Sequence, residues 1–397
     1  MSKISNKNKS VASARNANLV VFAVNGMVLA SWLSRLPDVK QQMNLTTGAL
    51  SILLLAVAAG SLIGLPIAGR ISDRFGTKLA VRFGGLISLA GILVATIAIQ
   101  SDFAFAVPMA GLFFFGFGIG VWDVAQNLEG TVIEQAQGSA IMPWFHAAFS
   151  GGTVLGALIG AMATSEHFPI GIHVPLAVAV TGILLWLGTA RFLPVEKQLE
   201  AVANSESESK QRSAWTEPRT LLIGLMVLAA AFTEGTANDW TAVAFVDGHS
   251  TSSTVGVFGL ATFMTFMTAG RIFGTKALDK FGRVTTLRFL FVSAVVGCTL
   301  VVFGGTAGAF AGAAIWGIGA SLGFPVGMSA ASDDPKLAAR RISVVATMGY
   351  VAFLAGPPLI GFLGESVGIL RALLAVGVVG ALAFLAVPAA KPLTTNA

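Results

Sequence analysis

Asp73-Arg74-Phe75-Gly76 returns almost unchanged as Asp279-Lys280-Phe281-Gly282 in a chain of 397 residues. Each copy closes a long apolar segment and sits within a cluster of basic residues. A chain built from two related membrane halves leaves this mark, with matching loops on one side of the bilayer. The fuller first copy is Gly69-Arg70-Ile71-Ser72-Asp73-Arg74-Phe75-Gly76-Thr77-Lys78, whereas the second, Gly274 to Arg283, spaces its glycine and aspartate differently.

The composition agrees with a membrane origin. Apolar residues make up 55% of the chain and charged residues only 11%, where a soluble domain carries about 25% charged residues. Mean hydropathy is +0.79. The 46 glycines suit closely packed membrane helices. A net charge of +6 invites a nucleic-acid reading, but the charges fall in short loops between apolar spans, so no nucleic-acid partner is expected. The single cysteine, Cys298, lies inside an apolar span and excludes an internal disulfide.

A span needs about 20 mostly apolar residues. On that criterion twelve helices are expected, at roughly 17–37, 47–70, 79–99, 104–128, 140–164, 171–193, 220–245, 253–275, 286–304, 308–330, 342–364 and 369–389. The fold class is an all-α polytopic membrane protein with two pseudo-symmetric six-helix bundles, 17–193 and 219–390. They are flanked by an N-tail 1–16, a polar linker 194–218 and a C-tail 391–397. With the N-terminus inside, all 25 lysines and arginines except Arg35, Lys40 and Arg371 fall on the cytoplasmic side. The positive-inside rule therefore places both termini and the linker in the cytoplasm. No Walker loop, dinucleotide fingerprint or zinc spacing appears. No cofactor is expected, and active transport must draw on an ion or solute gradient.

The Gly69–Lys78 stretch closely resembles the loop between helices 2 and 3 of the major facilitator superfamily, and the six-plus-six layout extends the resemblance over the whole chain. The stretch Trp122-Asp123-Val124-Ala125-Gln126-Asn127 in helix 4, with Glu234-Gly235-Thr236-Ala237-Asn238-Asp239-Trp240 in helix 7, is similar to the fucose permease branch. The resemblance implies a monomeric secondary transporter of the bacterial inner membrane, moving a small polar solute by alternating access. Its partners are then solute, protons and the lipid bilayer. It also implies that Asp123 serves proton coupling, as the matching helix 4 carboxylate does in fucose permease. Leu33 stands about where that permease has a membrane aspartate, which sets the two-carboxylate scheme aside here.

The chemistry of the loops can be read from residue type. Gly69 and Gly76 allow the turn. Asp73 can accept bonds from the N–H groups of a neighbouring helix start, or pair with a cytoplasmic arginine such as Arg340. Arg70 and Arg74 either join that latch or set topology and bind anionic headgroups. Asp279 and Gly282 form the weaker second copy.

Charged groups inside a span cost a few kcal/mol each and mark functional candidates. Asp123, Asn127 and Glu134 fall on one helical face. His146 should lie at a similar depth on the next helix, across an antiparallel hairpin turning near 130–139; it is a proton relay partner, a solute contact or a structural histidine. Glu234 and Asn238 are one turn apart in helix 7, with Asn238 suited to the solute and Glu234 to solute or proton. Asp239 is an outer gate or a helix cap. Arg35 binds an anionic solute group, or pairs with Asp38 or Asp239 as an outer gate. Trp32 and Trp240 either stack on a solute ring or anchor at the interface. Asn25 and Tyr350 complete the solute candidates. The leading expectation is proton-coupled symport of a sugar-like solute or related metabolite; the alternative is a proton-coupled drug or metabolite efflux antiporter. Helix 4 lacks the arginine many antiporters carry. An intramembrane hydrolase built on His146 and Ser150 lacks a nucleophile elbow, so no enzyme activity is expected.

Overall fold

A computed structural model describes residues 2–138, 141–194, 214–334 and 337–393. Most of the polar linker, 195–213, therefore lies outside the described residues, as does 394–397 of the C-tail. The helices are α1 Ser2–Leu33, α2 Leu36–Gln42, α3 Thr47–Phe75, α4 Thr77–Gln100, α5 Ala106–Gln137, α6 Met142–Ser165, α7 Ile170–Thr189 and α8 Pro218–Val243. They continue as α9 Ser253–Phe303, α10 Gly305–Ala320, α11 Gly323–Ala331, α12 Ala338–Val367 and α13 Ile369–Ala386. The first helix starts at Ser2, so residues expected as a tail are helical and continuous with the first helix.

Among the described residues, eleven continuous helical stretches are long and apolar enough to cross a membrane. The longest, α9, has 51 residues, far beyond the about 20 that a bilayer core accommodates. Its backbone leaves the helical region at Gly282, with φ 75° and ψ 168°. The helix is therefore two spans, and the chain is a multi-pass, all-helical membrane protein with the twelve spans expected. The expected span over 308–330 is itself broken, since α10 ends at Ala320 and α11 begins at Gly323.

The chain forms two compact units, Met1–Arg35 with Leu53–Ser209, and Leu36–Ile52 with Lys210–Ala397. In the first, α1 packs on α6 and α7, and α4 packs on α5 and α7. Helices α5 and α6 are consecutive but touch little. The glycine ladder of α6 explains this. A Cβ on Gly152 would stand 1.9 Å from the Ala23 carbonyl oxygen, and one on Gly156 would stand 2.4 Å from that of Met27. Only a glycine face lets α6 approach the α1 backbone so closely, so α6 spends its packing surface there.

The second unit repeats the plan. Here α8 packs on α12 and α13, and α9 packs on α10 and α13. The short α2 and the start of α3 belong to this unit. Lys40 Nζ lies 2.6 Å from Asp247 Oδ2, in the π turn Ala244–Gly248 that follows α8.

The two copies of the loop share one backbone geometry. Gly76 has φ 81° and ψ 158°, close to the values at Gly282. This is a region open almost only to glycine. Beyond the glycine the copies diverge. Thr77 Oγ1 donates to Glu129 Oε2 at 2.6 Å, while Glu129 Oε1 accepts from the Leu193 backbone N–H at 2.8 Å. Glu129 is wholly buried and so ties α4, α5 and the end of α7 together. In the other unit Arg283 Nη1 donates to Asp333 Oδ1 at 2.6 Å, and Arg219 Nη2 to Asp333 Oδ2 at 2.8 Å. At the start of α4 it is Glu129 that accepts a side-chain hydrogen bond, from the Thr77 hydroxyl. Asp73 and Asp279 are exposed and make no hydrogen bond or ion pair among the described residues.

Candidate functional site

In the first unit the polar groups gather on α1 and α5. Asp123 Oδ1 accepts from Gln126 Nε2 at 3.1 Å and, more loosely, from Asn127 Nδ2 at 3.4 Å. The same Asn127 amide donates to the Asp123 carbonyl at 2.8 Å. Spacings of three and four residues bring these side chains onto one helix face. Asp123 Oδ2 has no partner among the described residues, so one oxygen orients the carboxylate and the other remains able to take a proton.

Across from this face, Asn18 Nδ2 donates to the Gln126 carbonyl at 3.2 Å. Asn18 Oδ1, Gln126 Oε1 and both polar atoms of Asn25 are buried without a partner among the described residues. A buried polar group left unpaired costs about 1–3 kcal/mol. Four such atoms form a strongly polar lane that a fold built only for stability would avoid. Phe22 of α1 stacks on Phe145 at 5.3 Å and meets the exposed His146 ring edge-on at 5.7 Å.

Two expectations change here. His146 does not bond Asp123, whose side-chain partners all lie on its own helix. Because α6 is drawn to α1, its histidine turns to Phe22 instead. Glu134, expected beside Asp123, accepts from the Ile141 and Met142 backbone N–H groups at 2.7 and 2.9 Å. It caps the start of α6, where helical N–H groups have no intrahelical acceptor.

The second unit centres on an ion pair inside the spans. Arg271 Nη2 lies 2.7 Å from Glu234 Oε1, and Arg271 Nε donates to the Ser321 carbonyl at 3.2 Å. Glu234 thus works through an arginine counted with the basic loop in the charge tally. The signal was present, because Arg271 lies within the span expected at 253–275 and a charge there is costly. Ser321 stands at the break between α10 and α11. Asn238, one turn from Glu234, keeps a buried Oδ1 with no partner among the described residues, as do Thr233 and Thr236 at their hydroxyls. Asp239 is half-buried and likewise makes no hydrogen bond or ion pair among the described residues.

The remaining candidates are placed as follows. Trp32 and Trp240 are 1% and 0% exposed, so neither is an interfacial anchor. Each indole N–H is unpartnered among the described residues. Arg35 is held inside its own unit by Thr164 Oγ1 at 2.9 Å and the Phe168 carbonyl at 2.7 Å. Tyr350 is half-buried on α12 and engaged, as is Arg340 at the start of that helix. Gly69 is open, with no atom within 4 Å of an added Cβ, while Arg70 and Arg74 end α3. His173 was missed. It is buried, and neither ring nitrogen has a partner among the described residues.

Comparison with known proteins agrees with this architecture. A family model described as Major Facilitator Superfamily matches residues 17–335 and 240–396. The uncharacterized transporter y4wD of Sinorhizobium fredii is 32% identical over 93% of this chain and 96% of its own. Membrane protein MosC of Rhizobium meliloti is 31% identical over 91% and 87%. Among solved structures, the nucleoside transporter NupG superposes with a TM-score of 0.71 at 14% identity, covering 95% of this chain and 98% of its own. The fucose:proton symporter FucP of E. coli gives 0.61 at 14% identity, over 96% and 99%.

Proposed function

The chain belongs to the Major Facilitator Superfamily, and from that premise we propose that it carries a small polar solute across the bacterial inner membrane by proton-coupled symport. Both termini are cytoplasmic in this reading, and the chain works as a monomer. The observation that carries it is Asp123, a carboxylate within a span, oriented through one oxygen by Gln126 and Asn127. A carboxylate in a span with one oxygen left without a protein partner among the described residues is the type of group that can pick up and release a proton during a transport cycle. A proton on Asp123 then biases which face of the membrane the solute path opens to.

Asn25, Asn127, Asn238 and Tyr350 supply the solute's hydrogen bonds, with Trp32 and Trp240 as apolar walls. His146 and Glu234 assist proton movement. Gly69, Arg70, Asp73, Arg74, Gly76, Asp279, Gly282 and Arg340 serve the cytoplasmic gate, and Arg35 and Asp239 the outer one. A structural relative named as a fucose:proton symporter supports a sugar-like solute and proton coupling for this chain.

The test begins with thermal-shift screening of the purified protein against sugars, polyols, nucleosides and amino acids. The best ligand then enters proteoliposome assays. Asp123→Asn should abolish accumulation driven by a pH gradient while leaving counterflow intact. Undiminished proton-driven uptake by that variant would remove the coupling role.

A further inference from the structure

We propose that the seam between α4 and α7 holds the headgroup of an anionic phospholipid of the cytoplasmic leaflet, with Arg82 as its principal contact and Lys78 and Arg191 as flanking charges. The choice of leaflet rests on the cytoplasmic reading of the repeated loop. The site itself stands on contacts within the first unit alone.

Arg82 lies in α4, which packs on α7. Its Nε donates to Thr189 Oγ1 at 2.8 Å and its Nη2 to the Trp186 carbonyl at 3.2 Å. The guanidinium also lies 3.7 Å from the centroid of the Trp186 ring, well inside the about 6 Å reach of a cation–π contact. These contacts fix the plane of the group and satisfy the last turn of α7. They do not neutralise it, because hydroxyl, carbonyl and indole are all uncharged. Two of an arginine's five N–H donors are used in this way, which leaves three. No carboxylate pairs with Arg82 among the described residues. An arginine held rigid on one edge and open on the other is suited to a phosphate, which it can grip through two parallel hydrogen bonds.

Positive charge accumulates at the same end of the seam. Lys78 stands one turn before Arg82 on the same face of α4. Arg191 stands just past Thr189, whose hydroxyl holds Arg82. Neither makes a side-chain hydrogen bond or ion pair among the described residues. Glu129, which bonds Thr77 and the Leu193 N–H close by, is wholly buried and has both oxygens committed. Three cations therefore stand against one buried acid, and an external anion completes them. The border of the cluster decides what carries that anion. Leu79 and Leu86, three before and four after Arg82, are exposed, as is Ile183, three before Trp186. Trp186 itself is 61% exposed, the placement of an aromatic ring at the level of lipid headgroups. In a bilayer these side chains meet acyl chains, so the ligand bears chains beside its anionic head. A soluble anion would suit the arginine and leave that border uncovered.

The second unit shows what the first has added. Counting from Gly76 and Gly282, Arg288 matches Arg82 and Val284 matches Lys78. Arg288 stands 5.3 Å over Phe384 and makes no side-chain hydrogen bond among the described residues. An arginine over an aromatic ring thus recurs, while the two hydrogen bonds and the flanking lysine do not. The first unit holds its guanidinium in one orientation and surrounds it with charge, so it is the tighter of the two places for a lipid headgroup.

The experiment uses the full chain, stripped of lipid in detergent, with binding read by native mass spectrometry and thermal shift. Dioleoyl phosphatidylglycerol is the anionic probe, dioleoyl phosphatidylcholine the zwitterionic control with the same chains, and glycerol 3-phosphate the soluble anion. Each cation near an anionic lipid contributes roughly a fivefold gain. The wild type should therefore prefer phosphatidylglycerol to phosphatidylcholine by about fivefold or more, and glycerol 3-phosphate should not stabilise it at matched concentration. Arg82→Gln should weaken the first equivalent of phosphatidylglycerol by about fivefold, and Lys78→Gln with Arg191→Gln by about tenfold or more. Arg82→Lys, which keeps the charge and loses the fork, should fall between wild type and Arg82→Gln. Arg288→Gln should change the affinity by less than about twofold. Should Arg82→Gln fail to fold, the double variant carries the test, since neither of its side chains bonds to the protein. Equal binding of the two lipids, unchanged phosphatidylglycerol binding in the Arg82 and double variants, or a loss in Arg288→Gln as large as in Arg82→Gln would overturn the inference. Stabilisation by glycerol 3-phosphate equal to that by phosphatidylglycerol would make the occupant a soluble anion and overturn it as well. None of these outcomes bears on solute uptake, so failure here leaves the transport reading standing.

Discussion

Where the repeated loop meets its neighbours, the first half is tied by one buried carboxylate with neutral donors and the second by a partly buried ion-pair network. Glu129 takes a threonine hydroxyl and a backbone N–H. Asp333 takes two guanidiniums, and those arginines reach further, to Ser329 Oγ at 3.0 Å and the Ala330 and Lys391 carbonyls at 3.3 and 3.0 Å. A further parallel lies in the arginines at matching places in the two copies. Arg82 stacks 3.7 Å over Trp186, and Arg288 stands 5.3 Å over Phe384. The two halves therefore keep one backbone turn and one mechanical task while the chemistry that performs it has drifted. The two joints share the glycine turn and an acid, Glu129 on α5 and Asp333 just after α11, while the donors differ, neutral in one and cationic in the other.

The strongest way to break this comparison is to remove both acids. Glu129→Ala leaves a buried hydroxyl and a buried N–H without acceptors, for a loss of about 3 kcal/mol. Asp333→Ala leaves two arginines that still reach water and carbonyls, for about 1–2 kcal/mol. Thermal unfolding in detergent reads both. High salt should shrink the Asp333 effect and leave that of Glu129 unchanged; equal losses with equal salt response would show that the two joints do not differ as described.

Substituting the shared glycines sharpens the other side of the comparison. Gly76→Ala and Gly282→Ala should each cost about 1–3 kcal/mol by forcing a side chain into a glycine-only region. At Gly282 no atom lies within 4 Å of an added Cβ, so strain rather than collision is the cause there. Similar losses would confirm equivalent turns, and a cost-free change at either would separate them.

The smallest effect concerns an ion pair at the start of α8. Burial alone would raise the pKa of Glu217, but hydrogen bonds from Arg341 and Thr220, with the Arg341 and Arg340 charges, hold it below its ordinary value of 4.5. Arg341 Nε donates to Glu217 Oε2 at 2.6 Å. A depressed carboxyl pKa contributes stability above the unfolded value, and that contribution is lost as pH falls through the folded one. The melting temperature of Glu217→Gln should therefore lie slightly below wild type at pH 7 and converge with it in acid. A constant gap across pH would exclude this linkage.

Much of the fold was legible because it rests on local quantities. Span length, loop charge and the doubled Asp-Arg/Lys-Phe-Gly are all counted along the chain. The glycine ladder at 152, 156 and 160 was also visible, though not which helix it would meet. Rotation about a helix axis has no one-dimensional signature beyond its apolar stripe, and helices hydrophobic on nearly all sides blur that stripe. For this reason the Asp123–His146 pairing did not form. Glu134 turned to cap α6 for a related reason: the chain reverses just beyond it, and unsatisfied N–H groups compete strongly for a nearby carboxylate. Arg271 was misassigned because a charge tally credits each basic residue to the nearest loop.

The sequence by itself determined a twelve-span, two-part membrane protein, the glycine turns that join its spans, and Asp123 with Asn127 on one face of a span, because bilayer thickness and helical periodicity act on neighbours in the chain. Only the tertiary structure decided that Glu129 and Asp333 are the joints, that Arg271 holds Glu234, and that Asn25 is buried with its amide unpaired. Those facts depend on which helices approach one another and at what rotation, which small residues far apart in sequence decide together.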